Sequence, residues 1–312
     1  MAAMTRALLL LLLFVLAIWS AEGQQRVYDV LDFHAAGDGK TDDAQVTAAQ
    51  PHEFLILQLD GNIVAPNNIW TKQEASLLTF FGIDHLTLDG NGEIDGQGAI
   101  WWDCYSRKTC QDRPVLLGFA RCNYLTVTRI HLKDSAEKHM TLFQCSQVIV
   151  DSVSVTAPAD SPNTDGITVA FSNNTYISNC AIQTGDDCVS VLSDTKNITV
   201  TQSSVGSLGG SETAMVEQIT VSNCNFVGTM TGVRIKSWQG GKGYAKGFLF
   251  QTLNMTEVQN PIVIDQFYCP QGNCPIKNGG VAISNAKFID IQGYNMILSM
   301  VHATSCMQII GI

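Results

Sequence analysis

Short strand-like runs, most of them with apolar residues at the first and third positions, recur along this chain, usually after a turn-forming residue. The runs are Leu125-Thr-Val, Val148-Ile-Val, Thr175-Tyr-Ile, Ile198-Thr-Val, Ile219-Thr-Val, Phe248-Leu-Phe and Val281-Ala-Ile. Alternation with a period of two predicts strands that bury one face. Their first residues are separated by 23, 27, 23, 21, 29 and 33 positions. The pattern therefore predicts one structural unit that is repeated along the chain.

Most units contain a second short strand after a polar turn, as in Val153-Ser-Val and Ala181-Ile-Gln. Units of this length, built from very short strands, are typical of a solenoid in which each unit is one coil. A leucine-rich repeat would need a Leu and Asn framework that is missing, and a sandwich would need hairpin turns. The sequence predicts an all-β fold, a right-handed single-stranded parallel β-helix.

The first residues have the pattern of a targeting signal. Arg6 supplies a positive charge, and the apolar run from Ala7 to Trp19 is too short to span a bilayer. We therefore predict a signal peptide over residues 1–23, a β-helix domain over 24–293 and an atypical tail over 294–312. The predicted location is extracellular, in the cell wall.

Composition and charge narrow the range of functions that the chain can have. Of the 312 residues 46% are hydrophobic and 15% are charged, and the formal net charge is −10. This composition is that of a globular protein, and the negative charge argues against nucleic acid as a partner. An anionic polysaccharide is not excluded, since a few cations in a groove act locally once salt screens distant charges.

The ten cysteines follow the predicted signal, and in a secretory compartment they are expected to form disulfides. Cys104 with Cys110, and Cys269 with Cys274, are close enough to close small loops. A zinc site is disfavoured because no pair has C-x-x-C spacing. Three glycosylation sequons begin at Asn173, Asn197 and Asn254.

Two glycine-rich segments near the N-terminal end are predicted to be turns. The segment 37–43 superficially resembles a calcium loop, but it lacks the ligand spacing and the bidentate Glu of an EF-hand. A turn leading into a capping helix is favoured there. The segment 89–98 does not match a dinucleotide-binding glycine pattern, so turns are preferred there as well.

Three acidic residues are spaced to meet in a solenoid. Asp165 and Asp187 are 22 positions apart, about one coil, and Lys236 follows Asp187 by 49 positions, about two coils. Because adjacent coils lie only about 4.8 Å apart, Asp165, Asp186 and Asp187 should gather near Arg234 and Lys236. Crowded carboxylates raise at least one pKa, which provides the acid that a glycosidase needs beside a carboxylate base.

At these positions the sequence resembles the polygalacturonases, pectin-cleaving β-helix glycoside hydrolases. The matching motifs are Asn163-Thr-Asp, Gly185-Asp-Asp and Arg234-Ile-Lys, with further similarity at Trp101-Trp-Asp, Trp238-Gln-Gly-Gly and the segment 261–269. The resemblance implies that Asp186 is the general acid and that Asp165 and Asp187 position and activate water. It implies that Arg234, Lys236 and Tyr268 contact galacturonate, and that catalysis needs no metal or other cofactor.

The sequence departs from the family at one motif. Polygalacturonases carry Cys-Gly-x-Gly-His before a Gly-Ser-Leu-Gly segment, whereas here Ser204 leads directly into Val205-Gly-Ser-Leu-Gly. The family's catalytic histidine is therefore absent, as is the cysteine expected to bond Cys188. His139 lies 26 positions before Asp165 and could approach the cluster, but a structural role is favoured.

Several functional hypotheses follow. The favoured one is inverting hydrolysis of α-1,4-galacturonide bonds in polygalacturonate by a monomeric secreted protein. The missing histidine motif motivates an alternative, a pectin-binding relative without turnover or a truncated non-functional product. A pectate lyase on the same architecture would need calcium-binding acids and an arginine base, so calcium dependence would separate it from a hydrolase.

Overall fold

The structure, a computed structural model, describes residues 26–29, 54–69, 76–110, 112–202, 213–269 and 272–294. Within these ranges it contains one helix, α1 (Ala99–Ser106), and 22 strands. The strands are β1 (Arg26–Asp29), β2 (Leu55–Gln58), β3 (Asn62–Val64), β4 (Ser76–Phe81), β5 (Leu86–Asp89), β6 (Glu93–Asp95), β7 (Val115–Ala120), β8 (Thr126–Thr128), β9 (His131–Lys133), β10 (Met140–Phe143), β11 (Ser146–Asp151), β12 (Ser154–Thr156), β13 (Ile167–Ala170), β14 (Asn173–Ser178), β15 (Ala181–Gln183), β16 (Val189–Val191), β17 (Thr195–Thr201), β18 (Thr213–Val227), β19 (Thr231–Lys236), β20 (Lys242–Thr256), β21 (Asn260–Asp265) and β22 (Ala282–Tyr294).

The strands form parallel sheets that run along a solenoid axis. The longest sheet has ten strands in the order β1-β2-β5-β8-β11-β14-β17-β18-β20-β22. A second sheet is β3-β6-β9-β12-β15, and a third, here named the site sheet, is β4-β7-β10-β13-β16. Strands β19 and β21 pair separately. Each strand pairs with its counterpart one coil away, which confirms the predicted parallel β-helix.

The core consists of apolar side chains stacked in register from coil to coil. In the ten-stranded sheet one interior column is Leu57, Leu88, Val127, Val150, Ile177, Val200, Val221, Phe250 and Phe288. All but Phe288 are buried. Six of the seven predicted triplets contribute their last residue to this column. The alternation in sequence therefore specified the buried face correctly for these strands.

The seventh triplet was assigned to the wrong position. Phe250 pairs with Phe288, so the counterpart of Phe248-Leu-Phe begins at Ala286 and not at Val281. The long turn after β21 shifts the register of this coil. The turn prediction for 89–98 was also partly wrong, because Glu93–Asp95 forms a strand of the second sheet. The alternation of Glu-Ile-Asp was too short to distinguish from a turn by sequence.

Both short-range disulfides that the sequence predicted are present. Cys104 bonds Cys110 at the end of α1, and Cys269 bonds Cys274 in the segment between β21 and β22. No helix in the described ranges has both the length and the apolar character needed to cross a bilayer. The predicted signal peptide, the segment 37–43, Ser204 with the following glycine-rich segment, and the tail after Tyr294 lie outside the described residues.

Candidate active site

The three predicted carboxylates meet where two turns enter the site sheet. Asp165 lies two residues before β13, and Asp186 and Asp187 lie just before β16. Ile167 pairs with Val189, and the amide of Gly166 donates to the carbonyl oxygen of Asp187 at 2.8 Å. Asp165 and Asp187 are therefore neighbours on adjacent coils. One oxygen from each of the three carboxylates lies within 4.8 Å of the others.

Close packing between the two turns fixes their relative position. The Gly185 amide donates to Thr164 Oγ1 at 3.0 Å, and the hydroxyls of Thr164 and Ser161 are 2.7 Å apart. A Cβ atom at position 185 would overlap the carbonyl oxygen of Ser161. Glycine is thus required before the two adjacent aspartates because the preceding coil approaches its backbone.

Asp165 is a buried carboxylate that two hydroxyl groups contact. Its side chain is buried, and Oδ2 accepts hydrogen bonds from Ser190 Oγ at 3.0 Å and Thr168 Oγ1 at 3.4 Å. Burial raises the pKa of Asp165 to about 8; the positive charge of Lys138 opposes this rise, and the neighbouring carboxylates add to it. Asp165 is therefore protonated at neutral pH. Its ionised form would be a buried anion, without solvent to stabilise it, next to two other carboxylates.

Asp186 is the more accessible of the adjacent pair. Its Oδ1 accepts the amide of Asp187 at 2.9 Å, and Asn163 Nδ2 lies 3.5 Å from Oδ2. Burial and the charge of Asp187 raise the pKa of Asp186 to about 6. A carboxylic acid that is partly exposed and still protonated in mildly acidic solution can give a proton to a bound substrate.

Asp187 is held beside a cation. Lys236 Nζ lies 3.4 Å from Asp187 Oδ2, and both side chains are at least nine-tenths buried. Asp187 Oδ1 is also buried, and it has no hydrogen-bond partner among the described residues. Lys236 contacts Oδ2, so Oδ1 is the oxygen of Asp187 that remains as an acceptor for water or substrate.

The predicted cations and tyrosine surround the cluster on its C-terminal side. Arg234 and Lys236 are buried neighbours on β19. The Arg234 guanidinium lies 5.3 Å and Lys236 Nζ lies 4.8 Å from the centre of the Tyr268 ring. Arg234 Nε and Nη2 lack hydrogen-bond partners within the described part of the chain. A carboxylate ligand bound here would accept hydrogen bonds from these unpaired, buried guanidinium N–H groups.

Arg113 is a site residue that the sequence analysis missed. Its Nη1 donates to the carbonyl oxygens of Ala136 at 2.9 Å and Pro162 at 2.6 Å, and Nη2 donates to Asn163 Oδ1 at 2.8 Å. This contact turns the Asn163 amide nitrogen toward Asp186. Arg113 therefore positions the turn that carries Asn163 beside Asp186. No motif marks it, because an arginine before a strand is usually solvent-exposed.

His139 is a structural residue, as favoured from the sequence. It is fully buried, Nδ1 lies 3.0 Å from the carbonyl oxygen of Asp165, and the Ser135 amide donates to Nε2 at 3.3 Å. Burial lowers the pKa of His139 to about 4, so the ring is neutral. Because both ring nitrogens contact backbone groups, His139 orients the main chain at Asp165.

The three carboxylates also offer the donor atoms of a candidate metal site. Three carboxylates are ligands that hard divalent cations accept. Here Lys236 faces Asp187, and two hydroxyls donate to the protonated Asp165. The arrangement suits proton transfer better than cation binding, and metal independence stays a prediction.

The sequence matches the model of a known protein family over most of its length. The matched family is the glycosyl hydrolases family 28, and the match covers residues 31–306. This range includes every residue of the carboxylate cluster and the cations beside it.

Curated relatives from plants are similar to this chain. A probable polygalacturonase of Arabidopsis thaliana is 38% identical over an alignment of 298 positions, and this alignment covers 82% of this chain and 64% of the relative. A polygalacturonase of Persea americana is 39% identical over 230 residues, covering 69% of this chain and 50% of the relative. The chain thus spans between half and two thirds of the length of these relatives.

Solved structures share the fold. A polygalacturonase from Erwinia carotovora superposes with a TM-score of 0.66 at 22% identity, covering 80% of this chain and 83% of the other. An endo-xylogalacturonan hydrolase from Aspergillus tubingensis gives a TM-score of 0.65 at 16% identity, covering 92% and 99% respectively. At this identity the likeness establishes the parallel β-helix architecture.

Proposed function

The chain belongs to glycosyl hydrolases family 28, and from this membership we propose that it hydrolyses α-1,4-galacturonide bonds of polygalacturonate. The observation that carries the proposal is the cluster of Asp165, Asp186 and Asp187 beside two buried cations. A neutral sugar would bring no negative charge to Arg234 and Lys236. A uronic acid supplies one, and its planar carboxylate suits the guanidinium of Arg234.

The three carboxylates have different tasks in the proposed mechanism. Asp186, in its protonated form, gives its proton to the glycosidic oxygen as the bond from that oxygen to the anomeric carbon breaks. Asp187 accepts a proton from water as the water oxygen bonds to the anomeric carbon. Asp165, which keeps its proton, donates a hydrogen bond that helps to hold this water. Exchange with solvent then restores the proton of Asp186 and removes that of Asp187.

We propose inversion at the anomeric carbon. A retaining enzyme needs a carboxylate that can bond the sugar directly. The Asp187 side chain is only 5% exposed and lies against Lys236, so water reaches it more readily than a sugar ring does. The nearest carboxylate oxygens lie within 4.8 Å, closer than the roughly 6.5–9.5 Å between carboxyl groups that is usual in inverting enzymes. Inversion is therefore tested by determining the anomeric configuration of freshly released product by NMR. An α-configured product would contradict inversion.

The function is tested by incubating the secreted protein with polygalacturonate and measuring new reducing ends. We expect release that continues in the presence of a chelator, because none of the proposed steps uses a metal. Absorbance from an unsaturated sugar unit at the new chain end would instead indicate a lyase. Folded protein that generates no reducing ends would contradict the proposed hydrolysis.

The activity should have an acidic pH optimum. The general acid works only while protonated, and the pKa of Asp186 is raised to about 6. We therefore expect kcat/KM to fall about tenfold per pH unit above pH 6. Below pH 6 Asp186 is mostly protonated, so the protonation state of this residue no longer limits the rate there. A pH profile of reducing-end release checks this, and a rate that keeps rising above pH 7 would contradict the assignment of Asp186.

A second candidate function is binding of polygalacturonate without turnover. The specific observation in its favour is the absence of the Cys-Gly-x-Gly-His motif from the sequence. Binding at micromolar protein together with undetectable hydrolysis would support it. Insertion of that motif after Ser204 should then restore turnover, whereas an inactive insertion variant would assign the defect elsewhere.

We also propose that the protein is secreted to the cell wall and acts there as a monomer. The two disulfides support an oxidising compartment. Asn173, Asn197 and Asn254 are exposed on the ten-stranded sheet, where glycosylation is sterically feasible. The net charge of −10 again disfavours nucleic acid, so a polysaccharide is the proposed partner.

A further inference from the structure

Lys138 lies on the coil directly before Asp165 and in the same row as the carboxylates. The Leu116 amide donates to the carbonyl oxygen of Lys138 at 3.0 Å, and the His139 amide donates to that of Asp165 at 2.8 Å. The Gly166 amide continues this pattern to Asp187 at 2.8 Å. Lys138, Asp165 and Asp187 therefore occupy equivalent positions on three successive coils. Lys138 is on the N-terminal side of the cluster, and Arg234 and Lys236 are on the C-terminal side.

The ammonium group of Lys138 is charged and remains partly accessible. Its side chain is 26% exposed, and Nζ forms an ion pair of 2.5 Å with Glu137, whose side chain is also 26% exposed. Burial acts to lower the pKa of Lys138, but the charges of Asp165, Glu137 and Asp186 raise it above its ordinary value. Lys138 therefore stays protonated throughout the pH range in which Asp186 can act.

The ion pair with Glu137 is exchangeable. Both side chains keep contact with solvent, so the pair can open without leaving either charge fully buried. A lysine ammonium has rotatable donors on a flexible stem, so it can turn from one carboxylate to another. An incoming carboxylate would replace Glu137 at a small cost. No described residue other than Glu137 forms an ion pair with Lys138.

We propose that Lys138 binds the carboxylate of a uronic acid unit on the N-terminal side of the cleavage point, with Glu137 as the counter-ion that this unit displaces. The inference rests on the proposed polygalacturonate substrate and extends it. Cations would then flank the carboxylate cluster on both sides. Successive acidic sugars would be held before and after the bond that breaks, which favours a substrate with free carboxylates in consecutive units.

The experiment measures binding of a trigalacturonate to the Asp186→Asn protein by calorimetry, so that hydrolysis does not interfere. In this background Lys138→Gln should weaken binding about tenfold, which corresponds to about 1.4 kcal/mol. Lys138→Arg should retain most of the affinity because it keeps the charge. Glu137→Gln should strengthen binding several-fold, because the competing carboxylate is removed. None of these substitutions should alter binding of the fully methyl-esterified trimer.

The outcomes separate this inference from the proposed function. If the parent protein does not bind the trimer, the proposed substrate is wrong and the inference is rejected with it. If the parent binds and Lys138→Gln binds equally well, the proposed function stands and the role of Lys138 is rejected. An equal loss with the esterified trimer would show that Lys138 only supports the fold, and that result also overturns the inference.

Discussion

The Asp186→Asn protein is expected to lose hydrolysis of polygalacturonate by a factor on the order of 10²–10⁴ in kcat. Asparagine has nearly the same shape, and its side-chain oxygen can still accept the Asp187 amide as Oδ1 does at 2.9 Å. It cannot donate a proton to the leaving oxygen. Because binding of the sugar carboxylates involves other residues, KM should change much less than kcat. Initial rates of reducing-end release over a range of substrate concentrations measure both.

Asp194→Asn is the matched control for this substitution. Asp194 follows β16 in the same coil, is partly exposed, and has a left-handed backbone with φ of 56°, which asparagine tolerates well. The control should keep the parent kcat and the parent unfolding temperature. Equal activity of the Asp186→Asn and Asp194→Asn proteins would contradict the role of Asp186 as general acid. A lower unfolding temperature for Asp186→Asn alone would mean that the loss reflects folding.

The Phe250→Ala protein is expected to lose about 3–5 kcal/mol of unfolding free energy. Phe250 is fully buried, and its ring stacks on those of Phe248 at 6.3 Å and Phe288 at 5.0 Å between centroids. Each coil contacts only the coils next to it, so a cavity here weakens the attachment of β22 to the solenoid. The midpoint and slope of urea denaturation measure the loss.

Leu249→Ala provides the comparison on the same strand. Leu249 is only partly buried, and it pairs in register with Thr220 and Lys287, both of which lie on the outer face. Its truncation should cost less than about 1 kcal/mol. Equal losses at positions 249 and 250 would contradict the assignment of the inner and outer faces of β20. That result would also question the corrected register with Ala286–Phe288.

Much of the fold followed from local sequence pattern. Alternation in the triplets ending at Val127, Val150 and Ile177 reports which face of each strand is buried, and the pleat makes this a local property. The regular coil length then predicted that Asp165 and Asp187 would be neighbours, and the structure places them on adjacent coils. The short loop lengths of the Cys104–Cys110 and Cys269–Cys274 pairs were sufficient to predict both disulfides.

Other features depended on contacts that the sequence does not encode locally. The register of β22 follows from a long turn, so Ala286 could not be chosen over Val281 by pattern alone. Lys138 lies 27 positions before Asp165, about one coil, but that spacing does not distinguish it from the adjacent buried His139 at 26 positions. Nothing in the sequence shows that Arg113 points inward and holds Asn163.

By itself the sequence determined the repeat, the buried faces and the chemical types gathered at the site. The tertiary structure decided which carboxylate keeps its proton, because the pKa depends on burial and on neighbouring charges from other coils. Asp165 and Asp187 belong to equivalent positions in sequence, yet hydroxyls of Ser190 and Thr168 surround one and Lys236 lies beside the other. The alternation of buried and exposed residues is set by the geometry of a single strand. The free energy of protonating a carboxylate depends on all the groups packed around it.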